Sequence, residues 1–362
     1  MPLTDLFAEG ERIMVICNAC RYCEGHCAVF PAMELRTTFP KEELAYLANL
    51  CHDCGSCYHH CQYAPPHEFA VNVPKTFKEI REHTYGEHAW PRAFAAAFTR
   101  NGVATALIAA ASLALVAVLA GVFARAYFSP HAGAGAFYAI LPHDAMIGLF
   151  GAVWVYVLVA WTAGFRRFWR ESGARARIGL RDYWRATIDV LSLRYLGGGG
   201  GGCTYPREAP SHARRAFHHL TYYGFLLCLA STTVAAIYDN YLGWRAPYPL
   251  SSAPVVLGMA GGIGLLLGPA GLFLLKLRSD PLPNPRRRLV MDVAFLLLLF
   301  LTSASGFLLL ALRSTAAMGT LLTAHLGFVL GLFLTLPYGK FVHSVYRFAA
   351  LLRYAIEKPR AL

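Results

Sequence analysis

Two runs of cysteines carry the most specific chemistry in this chain: Cys17-Asn-Ala-Cys20-Arg-Tyr-Cys23-Glu-Gly-His-Cys27 and Cys51-His-Asp-Cys54-Gly-Ser-Cys57-Tyr-His-His-Cys61. Both follow C-x2-C-x2-C-x3-C, the bacterial spacing in which the fourth cysteine of each run ligates the other cluster. Three closely spaced thiolates wrap one corner of an iron–sulfur cube and leave one iron to be held from elsewhere. Crossing over satisfies both runs. Cys17, Cys20, Cys23 and Cys61 are read as one [4Fe–4S] site, and Cys51, Cys54, Cys57 and Cys27 as the other. Structural zinc has no use for a third cysteine at this spacing. Disulfides need an oxidising compartment, and no secretory signal is read ahead of Cys17.

Histidines supply a second kind of chemistry. His143, His218, His219, His325 and His343 sit in or beside apolar stretches, where ionisable groups are costly and point to function, and histidine is the usual axial ligand to haem iron. His325 and His343 are 18 residues apart. On one unbroken helix they would share a face, about 27 Å apart, although Pro337 lies between them. Helix direction brings His343 to the same membrane side as His218 and His219, so a bis-histidine b-type haem is expected there. Adjacent residues point about 100° apart on a helix, so one of the two ligates. His219, the deeper, is preferred, with His218 the alternative. A further pairing of His143 with His325 would hold a second haem; His325 equally suits a hydrogen-bonded helix contact or a quinone pocket.

The elements that must position these groups follow from hydropathy. The 362 residues are 56% hydrophobic with a mean hydropathy of +0.41, unlike an ordinary soluble protein. Residues 1–100 read as a helical two-cluster ferredoxin-like domain. The segment 40–50 (PKEELAYLANL) has apolar residues at helical spacing and leads into the second cysteine run. Residues 64–69 read as a turn, and 77–83 as a short polar helix. Residues 101–362 read as a transmembrane domain. Its apolar stretches, about 103–124, 145–165, 216–237, 253–277, 289–312 and 317–337, each approach the roughly 20 residues that a membrane helix requires.

Charge then orients the bundle. With the N-terminal domain in the cytoplasm, residues 166–215, 276–288 and 340–360 lie on the same side and carry eleven, five and five Lys or Arg. The opposite loops hold Arg125, Arg245 and Arg313. This positive-inside pattern accounts for most of the net charge of +12 without nucleic acid. A multi-pass protein of the bacterial cytoplasmic membrane is expected, with iron–sulfur domain and C-terminus inside. The cytoplasmic loop 166–214 contains six glycines, 197–202, followed by Cys203-Thr-Tyr-Pro206. It reads as a flexible linker, or as backbone passing close to a cofactor or partner, with Gly200, Cys203 and Tyr205 as candidate contacts. It is not a P-loop, and Cys203 reads as a buried bystander thiol.

The two cysteine runs, Ala64-Pro65-Pro66-His67-Glu68-Phe69, Gly200-Gly-Gly-Cys-Thr-Tyr-Pro206 and Arg214-Arg-Ala-Phe-His-His219 together resemble the tricarballylate- and citrate-utilisation protein B family, over most of the chain. That resemblance implies a membrane electron carrier that reoxidises the reduced FAD of a separate cytoplasmic dehydrogenase through iron–sulfur clusters and haem b, with quinone as acceptor. The same module is similar to part of a flavin-containing fusion in cobalamin synthesis, so another flavoprotein partner is the alternative. Leu336-Pro-Tyr-Gly-Lys-Phe-Val-His343 also resembles the cytochrome b subunit of respiratory nitrate reductase, which holds two haems with two histidines on each of two helices. Here positions 228 and 229 are Cys and Leu, which favours one haem.

No general acid–base pair or activated nucleophile stands out, so no catalytic residue is assigned. Asp239, Asp280 and Asp292 read as ordinary helix-end or loop carboxylates, and Arg21, Arg36, Lys75 and Lys78 as solvated side chains able to steer an acidic partner. Two rival classes explain less. A membrane iron–sulfur redox sensor needs an output domain, and a transporter leaves the cysteine runs without a purpose.

Overall fold

The fold, a computed structural model, describes residues 3–124, 126–173, 177–284 and 289–358. Arg125, Arg175, Arg286, Arg287, Arg288 and Arg360, part of the charge pattern, lie outside the described residues. Among the described residues every regular element is helical, apart from an isolated bridge between Cys203 and Ser211. This is the all-α architecture expected. The chain runs α1 (Leu3–Cys20), α2 (Val29–Glu34), α3 (Lys41–Leu50), α4 (Ser56–His59), α5 (Val73–His88), α6 (Ala96–Thr99), α7 (Asn101–Phe123), α8 (His143–Ser172) and α9 (Leu180–Leu191). It continues with α10 (Ala213–Leu242), α11 (Ala253–Leu277), α12 (Val290–Leu312), α13 (Met318–Thr335) and α14 (His343–Glu357).

Helices α7, α8, α10, α11, α12 and α13 are long and apolar enough to cross a membrane. The other helices of more than one turn belong to the cysteine-bearing head. There, Val73, Phe77, Ile80 and Thr84 of α5 repeat at helical spacing and are all buried. That apolar face carries α5 well beyond the expected 77–83. Its start is fixed by Asn72, whose side chain accepts a hydrogen bond from the Lys75 backbone N–H, with Pro74 in the first turn.

The head does not close on residues 1–100 alone. Its core, built on Phe30, Tyr46, Leu47 and Phe77, also takes in Ala186 of α9 and Ala350, Leu351 and Tyr354 of α14. Charged groups fasten the last helix in place. Arg353 reaches Glu43 at 2.6 Å and Glu357 at 2.7 Å, and Arg36 reaches Glu357 at 2.7 Å and also pairs with Glu43. Arg36 is therefore no free steering charge: it sits in this clamp with 8% of its side chain exposed. Lys78 is likewise buried.

Burial alone would raise the Glu43 pKa, but hydrogen bonds from Arg353 and Arg36 outweigh it and hold the carboxyl below its usual range. The clamp's contribution is then complete above an unfolded-chain pKa of about 4.3 and is lost as the pH falls through the lower folded value. Arg353→Ala leaves Glu43 and Glu357 competing for one guanidinium. For a pair whose carboxylate keeps 23% side-chain exposure, the expected cost is about 2 kcal/mol. It is read as a lower unfolding midpoint at neutral pH, in a difference that shrinks on acidification below about pH 4.

Small residues let α10 and α11 approach closely. A Cβ on Gly261 would lie 2.7 Å from the Gly224 carbonyl, and one on Gly264 would lie 2.7 Å from the Leu220 carbonyl. Membrane helices use such residues to bring backbones together. At the head end of the bundle α13 stops at Thr335 and α14 starts at His343. Pro337 and the 3-10 turn Lys340–Val342 lie in the break. His325 and His343 consequently do not share one helix face.

Candidate redox centres

The ends of short helices bring the cysteines together. Cys17 and Cys20 lie on the last turn of α1, which Arg21 ends in the left-handed region at φ 56°. Cys57 lies in α4, entered through Gly55 at φ 82°. Cys17, Cys20, Cys23 and Cys61 line one cavity of about 280 Å³. Cys27, Cys51, Cys54 and Cys57 line another. Phe30, Cys57 and Val73 belong to both walls, so the two thiol sets stand side by side.

Burial pushes the Cys17 thiol up to about 12, and neighbouring Cys23, Cys61 and Cys20 add to the shift. Cys57 is raised by burial and then by Cys54, Cys51 and Cys27. Each set thus lines one cavity, where bound iron would stabilise the thiolates. The donor chemistry fits iron–sulfur clusters. The Asp53 backbone N–H points at Cys51 Sγ, 3.4 Å away, a contact of the kind that sets cluster potential.

The second set adjoins the membrane bundle. His52 and Asp53, between Cys51 and Cys54, line a cavity of about 670 Å³ among α8, α10, α11, α12 and the start of α14. Its apolar wall includes Trp154, Trp161, Phe225, Phe295 and Phe341, with Trp161 and Phe341 stacked at 5.2 Å. His218 and His343 both face this cavity, their ring centres 6.3 Å apart and their planes at 73°. That gap accommodates one metal ion bound by opposed ring nitrogens at about 2 Å each. His343 Nδ1 is fixed by the Lys340 carbonyl at 2.5 Å, which leaves Nε2 for a ligand. His218 Nδ1 is buried without a partner.

His219 does not line the cavity. It packs on Tyr223 at 5.8 Å, on another side of α10. The preference for it by depth is corrected by helix phase. Arg214, His218, Thr221, Tyr222, Phe225 and Leu229 share the cavity-facing stripe, a periodicity already visible in the sequence.

Positive charge collects at the head end of the cavity. Arg81 donates to the Cys51 carbonyl at 2.6 Å, and Arg347 to the same carbonyl at 2.8 Å. Arg214 pairs with Asp53. Burial and Arg81 push the Arg347 guanidinium down to about 10, and its Nε has no partner. Buried cations in this state call for a further anion, such as the two carboxylates of a haem. Residues and cavity fit the group. Asp292 is no ordinary helix-end carboxylate either: it bonds Lys276 at 2.5 Å and Lys340 at 2.7 Å in the same wall.

The His143–His325 pairing is not assembled. His143 Nε2 is 2.7 Å from Asp239, which also accepts from the Tyr138 hydroxyl. His325 Nδ1 is 3.1 Å from the Thr302 carbonyl, inside the bundle. The glycine loop has a different role from a cofactor cradle. A Cβ on Gly199, at φ 78°, would lie 2.8 Å from the Gly25 carbonyl in the first cysteine run. Gly55 of the second run meets the Thr204 carbonyl in the same way, at 2.7 Å. The loop is therefore a close-fitting brace across both runs. A Cβ on Gly200 would meet nothing within 4 Å. Cys203 is buried, and burial pushes its thiol up to about 12. Tyr205 is buried beneath the Arg214 guanidinium, 4.4 Å from its ring centre. None of the three faces the large cavity.

Among the described residues, six membrane-length helices below a cysteine-lined helical head make this a membrane protein whose makeup is consistent with an iron–sulfur electron-transfer role. The citrate utilization protein B Fer4-like domain matches residues 10–87, and citrate utilization protein B matches residues 97–361. Citrate utilization protein B of Escherichia coli is 51% identical over 361 residues, covering 99% of this chain and 94% of that protein. The chain belongs to the citrate utilization protein B family. No solved structure matches it significantly.

Proposed function

We propose that the protein accepts electrons from the reduced FAD of a cytoplasmic dehydrogenase and delivers them to quinone in the membrane. Cys17, Cys20, Cys23 and Cys61 would hold one [4Fe–4S] cluster; Cys51, Cys54, Cys57 and Cys27 the other; His218 and His343 one b-type haem. When bound, these groups supply one-electron transfer. The observation that carries the reading is contiguity. Phe30, Val73 and Cys57 of the second set line both thiol cavities, and His52 and Asp53 line both the second of these and the histidine cavity.

Order follows from burial. The first set opens beside Tyr22, which is 69% exposed, so the flavoprotein docks there. Cys51 and Cys54 are buried next to the bundle. Arg81 and Arg347 hold the Cys51 carbonyl, and Arg214 holds Asp53, so the second set is fixed against the cavity. The relative's name places that protein in citrate utilization, and the partner proposed here is a dehydrogenase of citrate or tricarballylate metabolism. The basic loops support a cytoplasmic head and C-terminus.

Optical and EPR spectra of protein purified without oxygen, before and after dithionite, test the assignment. Two [4Fe–4S] signals and one low-spin b-type spectrum are expected. Clusters without haem would overturn the histidine assignment, and the absence of clusters would overturn the electron-transfer reading.

A further inference from the structure

A second cavity, of about 400 Å³, lies between α10, α11, α12 and α13 towards the bundle end remote from the head. Phe225 and Leu229 line both it and the large cavity, so the two are separated by the thickness of those side chains. The lining is apolar almost throughout, and its volume is in the usual range of small-ligand sites. Embedded in membrane-spanning helices, it suits a lipid-soluble molecule.

Ser231, Thr232, Thr302, Ser303 and Arg313 also line the cavity, but each spends a side-chain donor on a backbone carbonyl, which leaves His325 as the polar group able to serve a ligand. His325 Nδ1 lies 3.1 Å from the Thr302 carbonyl and 3.1 Å from Ser305 Oγ. The Ser305 hydroxyl itself lies 2.9 Å from that carbonyl, to which it can donate instead. Two arrangements are therefore open. In one, Nδ1–H donates to Thr302, and Nε2 is an acceptor. In the other, the Ser305 hydroxyl donates to Nδ1, and Nε2 carries the proton. Nε2 can thus donate to a carbonyl oxygen or accept from a hydroxyl at the same point. A quinone presents the first group and a quinol the second.

We infer that this cavity is the quinone site, with His325 Nε2 holding one ring oxygen in both redox forms. The inference rests on the electron-transfer reading above. A bound quinone takes two electrons and two protons to become a quinol. The electrons come one at a time from the reduced flavoprotein, and each ring oxygen takes one proton originating in water.

The test uses the full-length protein, with clusters and haem in place, in detergent. Photolysis of wild type with an azido-ubiquinone, followed by peptide mapping, is expected to label residues 225–235, 302–313 or 322–333. His325→Leu should require about tenfold more of the azido-quinone for equal labelling, the worth of one lost hydrogen bond, with the optical spectrum unchanged. Label confined to other segments, or unchanged affinity in the variant, overturns the site. Loss of haem absorbance in His325→Leu also overturns it, because the cavity would then hold a second haem. A variant that fails to fold leaves the wild-type map to decide. Reoxidation of dithionite-reduced wild type by decylubiquinone is measured alongside. Reoxidation with label elsewhere rejects only the cavity, whereas no reoxidation rejects the electron-transfer reading itself.

Discussion

Replacing His218 with alanine is expected to abolish the b-type haem spectrum completely, whereas His219→Ala leaves it in place. The two residues are neighbours in sequence, but the helix turns them about 100° apart. His218 faces His343 across 6.3 Å, and His219 packs on Tyr223 outside the cavity. His343→Ala should match His218→Ala, since a low-spin bis-histidine site needs both axial nitrogens. The cysteines lie in the head, so both cluster signals should survive in each variant and report that the protein has folded. Haem retained in His218→Ala and lost in His219→Ala would reject the pairing.

The second large effect concerns how the cysteine runs cross over. Cys61→Ser should remove the same EPR signal as Cys20→Ser, and Cys27→Ser the other one, although Cys27 belongs to the first run and Cys61 to the second. The cavities support this: Cys61 lies with Cys17, Cys20 and Cys23, and Cys27 with Cys51, Cys54 and Cys57. Cys23→Ser should destroy the first cluster, and with it reduction of the haem by the flavoprotein. Dithionite should still reduce that haem. A normal rate of haem reduction by the flavoprotein in Cys23→Ser would show that electrons enter elsewhere. Signals that segregate by run would reject the crossover.

The runs of apolar residues were legible because each membrane helix has to satisfy its own backbone, which writes length and hydropathy directly into the sequence. The thiol sets were legible because the spacing of each run is the chemistry. Helix phase was less so. Depth pointed to His219, while the stripe of Arg214, His218, Phe225 and Leu229 pointed to His218. Long-range partners left no local mark. Nothing in residues 343–357 announces that Ala350, Leu351 and Tyr354 complete the core of a head begun some three hundred residues earlier. Arg36 and Lys78 look like surface charges until Glu357 and the buried end of the bundle are placed beside them. The glycine loop read as a linker because composition records freedom, not the Gly25 carbonyl that leaves no room for a side chain at Gly199 or the loop's own Thr204 carbonyl pressed against Gly55.

The stacking of the two cavities along the bundle has an electrical consequence. Leu229, on their shared wall, is eleven residues beyond His218 on α10, about 16 Å along the helix. That is roughly half of the 30 Å hydrocarbon layer. With a haem in the first cavity and a quinone in the second, as proposed, an electron moving between them would work with or against the membrane voltage. Half the thickness corresponds to about 1 kcal/mol per electron at 100 mV. Quinone reduction in this protein would then run at a rate set by how energised the cell's membrane is, and adding an uncoupler to vesicles would change it without touching a single residue.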